Sequence, residues 1–212
     1  MDAHIQILYN PDLEDLWFIV PAFGAFLLYG IALKMTAFVI VREREAGTIE
    51  ALLVTPIRPI ELMLGKMIPS LCVAILNMAL TFSIGILIFG VPFRGSLLLF
   101  SALAILFAIG SLGLGLAISA VSQSQVQANQ LASLMNIAVM FVSGFMFPAY
   151  GLPILLRAFG YTMPMTFFLP IVNGIITKGV GLNDLWTPVL SLAALTVIIF
   201  YFSARSFRQQ LD

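Results

Sequence analysis

Covalent chemistry needs a nucleophile with its base, or a set of metal ligands. The sequence offers His4 as its only histidine and Cys72 as its only cysteine. His4 stands outside the long apolar runs, and Cys72 lies inside one with no histidine to activate it. One cysteine permits no intrachain disulfide, and no carboxylate pair falls within an apolar run, so no catalytic residue and no metal site are expected. A G-x-x-x-x-G-K-[ST] phosphate loop is absent, so the chain is not expected to hold ATP in that manner. The richest chemistry is the charged stretch from Arg42 to Lys66, REREAGTIEALLVTPIRPIELMLGK. Its charges are spaced for contact rather than for bond making.

The elements that position this stretch follow from composition. Hydrophobic residues make up 61% of the 212 and charged residues 9%, where soluble domains carry about a quarter. With a mean hydropathy of +1.07, the chain reads as an integral membrane protein. Ten Lys and Arg balance ten Asp and Glu, which argues against nucleic acid and against a strongly acidic partner. A hydrocarbon core about 30 Å thick takes roughly 20 apolar residues per helix. Five segments meet that need: Leu16 to Val41, Met67 to Phe89, Leu97 to Ser119, Leu131 to Phe147 and Leu185 to Ala204. The alternation of membrane barrels is missing. The expected fold is therefore all-α and polytopic, with about five transmembrane helices.

Basic residues set the orientation, because cytoplasmic connections are enriched in Lys and Arg. Arg42, Arg44, Arg58 and Lys66 occupy the first connection, and Arg205 and Arg208 the C-terminus. Five spans put both on one side, the cytoplasm. Residues 1–15, rich in acids, then read as the end of an extracytoplasmic segment and 16–212 as the transmembrane domain. Trp17 and Trp186 fall at the outer interface, where indoles favour the headgroup level. The outer connection, 148–184, is apolar but cut by Pro148, Pro153, Pro164 and Pro170. Its pieces Leu152 to Phe159 and Phe167 to Ile176 are too short to span, and a re-entrant helical hairpin is expected, with a surface loop on the headgroups as the alternative.

From Arg42 to Thr55, Ala46, Ile49, Leu52 and Leu53 share one side of a helical wheel, with Arg44, Thr48, Ala51 and Thr55 on the other. Such an amphipathic helix lies in the inner interface. Thr55 precedes Pro56, which pushes it out of the α region and ends the helix. Pro59 suits the first turn of the next helix, with Glu61 near its positive end. An interfacial anchor is the simpler use of such a helix. The small residues Gly47, Thr48 and Ala51, flanked by Glu45 and Glu50, also offer a shallow surface on which another protein could dock.

The run EREAGTIEALLVTPIRPIELMLGK resembles the cytoplasmic signature of the type 2 ATP-binding cassette permeases, the membrane subunits of exporters whose ATPase is often a separate chain. The family's E-x-G-T-x-E-x-L-x-x-x-P core falls here on Glu45, Gly47, Thr48, Glu50, Leu52 and Pro56, followed by Pro59, Gly65 and Lys66. The outer segment from Pro164 to Gly179, PMTFFLP and then NGIITKG, is similar to the family's segment before its last span. The resemblance implies a permease domain whose segment 42–66 rests on a nucleotide-binding subunit and passes ATP-driven closure to the spans. Docking and coupling would fall to Arg44, Glu45, Gly47, Thr48, Glu50, Ala51, Thr55 and Pro56. ATP and Mg would be held by the partner ATPase, with no cofactor in this chain, and two permease subunits, identical or homologous, would meet around a path. It also implies a multi-pass protein of the bacterial cytoplasmic membrane. Family members usually have six spans, the first followed by an extracytoplasmic domain; this chain starts as if after that domain, with HIQILY at 4–9 as its last strand.

Within the spans, Ser111, Gly115 and Ser119 recur every four residues, with Gly110 and Gly113 nearby, a pattern that lets helices approach closely. Packing within one subunit is the favoured reading. Lys34, seven residues before Val41, is expected to snorkel to the cytoplasmic interface. Asn77 and Asn136 are candidates to line a path, although polar side chains in spans usually bond across helices. Ten Met and eighteen Phe supply soft apolar surface that lipid contact explains. A second class of function stays open from the residues alone: a non-transporting scaffold or sensor that docks a cytoplasmic protein. A channel or secondary carrier would show intramembrane charges or broken spans.

Overall fold

The structure is a computed structural model that describes residues 16–47 and 59–208. Long apolar runs fold as helices because a backbone in hydrocarbon must satisfy its own N–H and C=O groups. The main helices are α1 (Leu16–Glu45), α2 (Pro59–Leu87), α3 (Leu97–Val121), α4 (Gln125–Val142), α5 (Ile154–Gly160), α6 (Pro164–Asn173) and α7 (Leu182–Arg208). A π-helical turn, Gly174–Lys178, continues α6, and a 3₁₀ turn, Ala149–Gly151, precedes α5. Ser96 and Ser124 cap α3 and α4, accepting from Leu99 N at 3.4 Å and Gln127 N at 3.2 Å.

Close contacts fix the directions of the helices. Along α3, Phe107 lies by Tyr29, Gly115 by Leu33 and Ser122 by Arg44 of α1, while Gly110 lies by Thr196 and Gly113 by Ile199 of α7, so these three helices run parallel. The Ser203 hydroxyl adds a hydrogen bond to the Gly113 carbonyl at 2.8 Å. Gly24 faces Phe82 while Glu43 pairs with Lys66, and Phe26 stacks on Phe145 while Glu45 meets Gln125, so α2 and α4 run the opposite way. One end of the bundle therefore gathers the ends of α1, α3 and α7 with the starts of α2 and α4. The other gathers the start of α1, the α2–α3 connection and the π turn.

The core is built around α1, which packs on α2, α3, α4 and α6. Phe107 and Phe168 stack at 4.1 Å with 6° between their planes, and Tyr29 lies 6.4 Å from Phe107. Met165, Phe168, Ile171, Val172, Ile175 and Ile176 are all fully buried. The short α6 is thus a central element of the core rather than a surface loop.

Four described helices, α1, α2, α3 and α7, are long and apolar enough to cross a membrane; α5 and α6, bent by 78°, would make five if counted as one span. This differs from the expected set at its fourth member. Helix α4 starts at Gln125 and ends at Val142, short of Phe147. Four of its first six residues, QVQANQ, are polar, which leaves too short an apolar run for the hydrophobicity of a full span. The first span also runs past Val41, to Glu45. The bent pair doubles back: Gly160 rests on Val142, Pro164 lies beside Gly110 halfway along α3, and the π turn returns to the α2–α3 connection. That is the path of a hairpin dipping in from one end. Trp186, at the start of α7, is exposed.

Candidate functional site

At the charged end of the bundle α1 finishes in Arg42, Glu43, Arg44 and Glu45. Successive helical residues point about 100° apart, so neighbours in sequence face different partners. Glu43 forms an ion pair with Lys66 of α2, side chains 31% and 17% exposed. Arg44 Nη1 donates to the Ser122 carbonyl at 2.9 Å, at the end of α3. Glu45 accepts from Gln125 N at 2.8 Å and from the Gln125 side-chain amide, at the start of α4. Three consecutive side chains thereby hold three other helices: α2 two turns in from its start, α3 at its end and α4 at its start.

The ties of Arg44 and Glu45 suit the helix termini they reach. The end of α3 carries unpaired carbonyls and a partial negative charge, which a guanidinium complements. The start of α4 carries unpaired N–H groups and a partial positive charge, which a carboxylate complements. Around Ser124 a second network closes the turn, with Gln123 N donating to Gln127 Oε1 at 2.7 Å and the Ser122 hydroxyl donating to the Ile118 carbonyl at 2.7 Å.

Directly beyond Glu45 the helix stops. Gly47 has φ +69°, the left-handed conformation that ends helices and favours glycine. Its N–H donates to the Arg44 carbonyl at 3.1 Å, and Ala46 N to Arg42 at 3.0 Å. A continuous amphipathic helix from Arg42 to Thr55 is therefore corrected: residues 42–45 complete α1, and the chain turns at Gly47. The left-handed Gly47 ends the helix, while the half-buried Glu43 and Arg44 are drawn onto α2 and α3 and the exposed Glu45 onto Gln125. Arg44 and Glu45 are placed in contacts inside the chain. Thr48, Glu50, Ala51, Thr55 and Pro56 lie outside the described residues. Pro59 opens α2 with Glu61 in its first turn.

Of the residues within the spans, Gly115 meets α1 backbone: a Cβ there would fall 2.5 Å from the Leu33 carbonyl oxygen. Ser111 and Ser119 are buried and bond within α3, to Phe107 O at 2.8 Å and Leu116 O at 2.6 Å. The two asparagines are not brought together. Asn136 lines a groove of about 460 Å³ with Phe26, Leu27, Gly30, Ile31, Lys34 and Met35. Asn77 lies on α2 outside that groove. Both side-chain carbonyls are buried with no hydrogen-bond partner.

Sequence reasoning passed over Ser122 and Gln125, the partners of Arg44 and Glu45. A signal was present, since Ser124 and Gln127 form the S-x-x-Q spacing of a capping box. It also passed over Arg94 at the opposite end. Arg94 N donates to Ile176 O at 3.0 Å and Arg94 Nη1 to Thr177 O at 3.3 Å, clasping the π turn.

These features together define a multi-pass helical membrane protein in which one charged, turn-ended helix holds three neighbouring helices. The chain belongs to the ABC-2 family of transporter proteins, which it matches over residues 4–205. It is 33% identical over 215 residues to the probable multidrug ABC transporter permease YbhS of Escherichia coli, spanning 100% of this chain and 56% of that protein. To the probable multidrug ABC transporter permease YbhR of Escherichia coli it is 30% identical over 203 residues, 96% of this chain and 55% of YbhR. ABC transporter G family member 20 of Dictyostelium discoideum is 24% identical over 203 residues, 95% of this chain and 28% of that protein. The chain thus spans about half the length of its Escherichia coli relatives.

Proposed function

We propose that this chain is the permease domain of an ATP-driven exporter of the bacterial cytoplasmic membrane, working as a dimer with a separate ATPase that binds ATP and Mg. The observation that carries the reading is the end of α1. Glu43, Arg44 and Glu45 hold α2, α3 and α4, and the turn at Gly47 leads straight into the segment that resembles the family's coupling helix. A push on residues 48–58 would reach three other helices through one helix end. Docking of the ATPase belongs to Thr48, Glu50, Ala51, Thr55 and Pro56, while Arg44 and Glu45 pass the movement on. The hairpin of α5 and α6 would close the outer side of the path.

Co-expression of the tagged chain with the ATPase encoded beside it tests this reading by co-purification from membranes. The wild type is expected to retain the ATPase and Gly47→Trp to lose it. Gly47→Asn, which tolerates φ > 0, is the control for the turn itself and should retain it. Absence of any ATPase from an intact, dimeric wild-type chain would overturn the reading in favour of a non-transporting scaffold.

A further inference from the structure

A second groove, of about 440 Å³, separates α2 from α3. Ile75, Met78 and Phe82 form one wall and Phe100 and Ile105 the other, with Phe93 of the α2–α3 connection between them. Phe100 stands edge-on to Phe82 at 4.7 Å and to Phe93 at 5.9 Å, so aromatic rings gather where the groove meets the connection. From there it follows α3 from Leu97 to Ile105, roughly 12 Å at ~1.5 Å per residue. None of its lining residues is charged. Of its two hydroxyls, Ser83 already donates to the Ala79 carbonyl at 2.8 Å. Both walls are helices long and apolar enough to cross a membrane, and Leu80, Ile84 and Leu98, beside lining residues, are exposed. The slot thus opens sideways, onto a surface made for acyl chains.

One residue beyond Phe93, Arg94 is exposed. A guanidinium offers several N–H donors in a planar fork, and among the described residues Arg94 uses one side-chain donor, to the Thr177 carbonyl at 3.3 Å. Lys178, next to Thr177, is exposed too, and the one described carboxylate at this end of the bundle is Asp184. A basic mouth therefore stands at one end of an uncharged apolar slot. Guanidinium donors match phosphate oxygens in pairs, and an apolar slot left empty forfeits the dispersion contacts that a chain within it restores. A second copy seated by a two-fold axis centred on the slot would set one hollow against another, with no ridge to fill either. We infer that the slot holds a phospholipid of the surrounding bilayer, its phosphate on Arg94 and one acyl chain laid along Phe82, Phe100 and Ile105. The lipid is a resident of the fold and not a transported molecule. Its phosphate gives Arg94 a second partner beside the π turn, so binding stabilises the end of the bundle that Arg94 clasps. Acidic headgroups are preferred over zwitterionic ones, because the mouth carries excess positive charge. The inference depends on the membrane location of α2 and α3 and not on ATP-driven transport.

The test uses the full chain in detergent, without any ATPase. Dioleoylphosphatidylglycerol, dioleoylphosphatidylcholine and dioleoylglycerol are titrated in parallel, and lipid retained per chain is read by native mass spectrometry. Retention should fall in that order. A phosphatidylglycerol with a diazirine in its acyl chain should label residues 75–105 on photolysis. Arg94→Gln keeps the backbone bond to Ile176, so the clasp persists, and it should weaken phosphatidylglycerol retention about tenfold, the loss of one charge-assisted contact. It should leave dioleoylglycerol unchanged, and Arg94→Lys should recover part of the loss. Ser83→Trp, which fills the slot from its exposed wall, should abolish retention of all three lipids, while Ser83→Ala retains them. Retention of dioleoylglycerol equal to that of phosphatidylglycerol, no effect of Arg94→Gln, or full retention by a monodisperse Ser83→Trp chain would overturn the inference. So would thermal stabilisation by glycerol 3-phosphate equal to that by phosphatidylglycerol, which would make Arg94 a site for free phosphate. Efficient Ser83→Cys disulfide cross-linking between copies in a Cys72→Ser background, with no lipid retained, would make the slot a subunit interface.

Discussion

The two ends of the bundle are fastened by different physics. At the charged end the ties are side chains: Glu43 with Lys66, Arg44 with Ser122 and Glu45 with Gln125. At the opposite end the closest contacts are between backbones, with the Arg94 guanidinium adding one bond to Thr177 O. The α2–α3 connection lies so close to the π turn that a Cβ on Gly95 would collide with the Ile175 carbonyl, and Arg94 N hydrogen-bonds Ile176 O at 3.0 Å. Long charged side chains can exchange partners and reach over a moving gap. Interlocked backbones cannot. Under the proposed coupling role the charged end would transmit displacement and the clasped end would resist it.

Substitutions at each end can break that contrast. The largest effect is expected from Gly95→Val, because the obstacle is backbone rather than the tip of a side chain. Overpacking of this kind costs about 1–3 kcal/mol, seen as a lower apparent melting temperature in detergent; an unchanged temperature would mean that the clasp yields. Gly47→Ala comes next, at about 1 kcal/mol for a non-glycine residue in the left-handed region, with Gly47→Asn smaller under the same measurement. Lys66→Met removes one partner of a partly exposed pair and should cost about 0.5–1 kcal/mol, with a double-mutant cycle against Glu43→Gln isolating the coupling. The smallest effect belongs to Glu45→Gln. It should speed amide exchange at Gln125 while leaving the melting temperature almost unchanged, and the difference should shrink as salt rises.

Much of this architecture is legible in the sequence, for reasons that differ by element. Helices α1, α2, α3 and α7 announce themselves because twenty apolar residues have few alternatives to a membrane helix. Helix α4 is harder to place. Its polar first turns belong to the helix because Ser124 caps them and Glu45 meets Gln125, a partner 80 residues away in sequence. The same long-range contact hides the true end of α1. A helical wheel drawn from Arg42 assigns Arg44 to a wet face, whereas the structure turns it onto α3. The α5–α6 hairpin is announced by its prolines and short apolar pieces, but its burial against Phe107 and Tyr29 depends on packing that no local pattern encodes. Gly115 shows the favourable case: a four-residue spacing of small side chains, meeting the backbone of α1 within the same chain.

The central claim is that the segment entered at Gly47 meets a separate ATPase and that the opposite end does not. A photo-crosslinking amino acid placed at Ala51, and in a second version at the exposed Tyr150, compares the ends in membranes that contain the co-expressed ATPase. An ATPase adduct from Ala51 and none from Tyr150 is the predicted result. No adduct from Ala51 with the ATPase present, or equal adducts from both positions, would contradict the account.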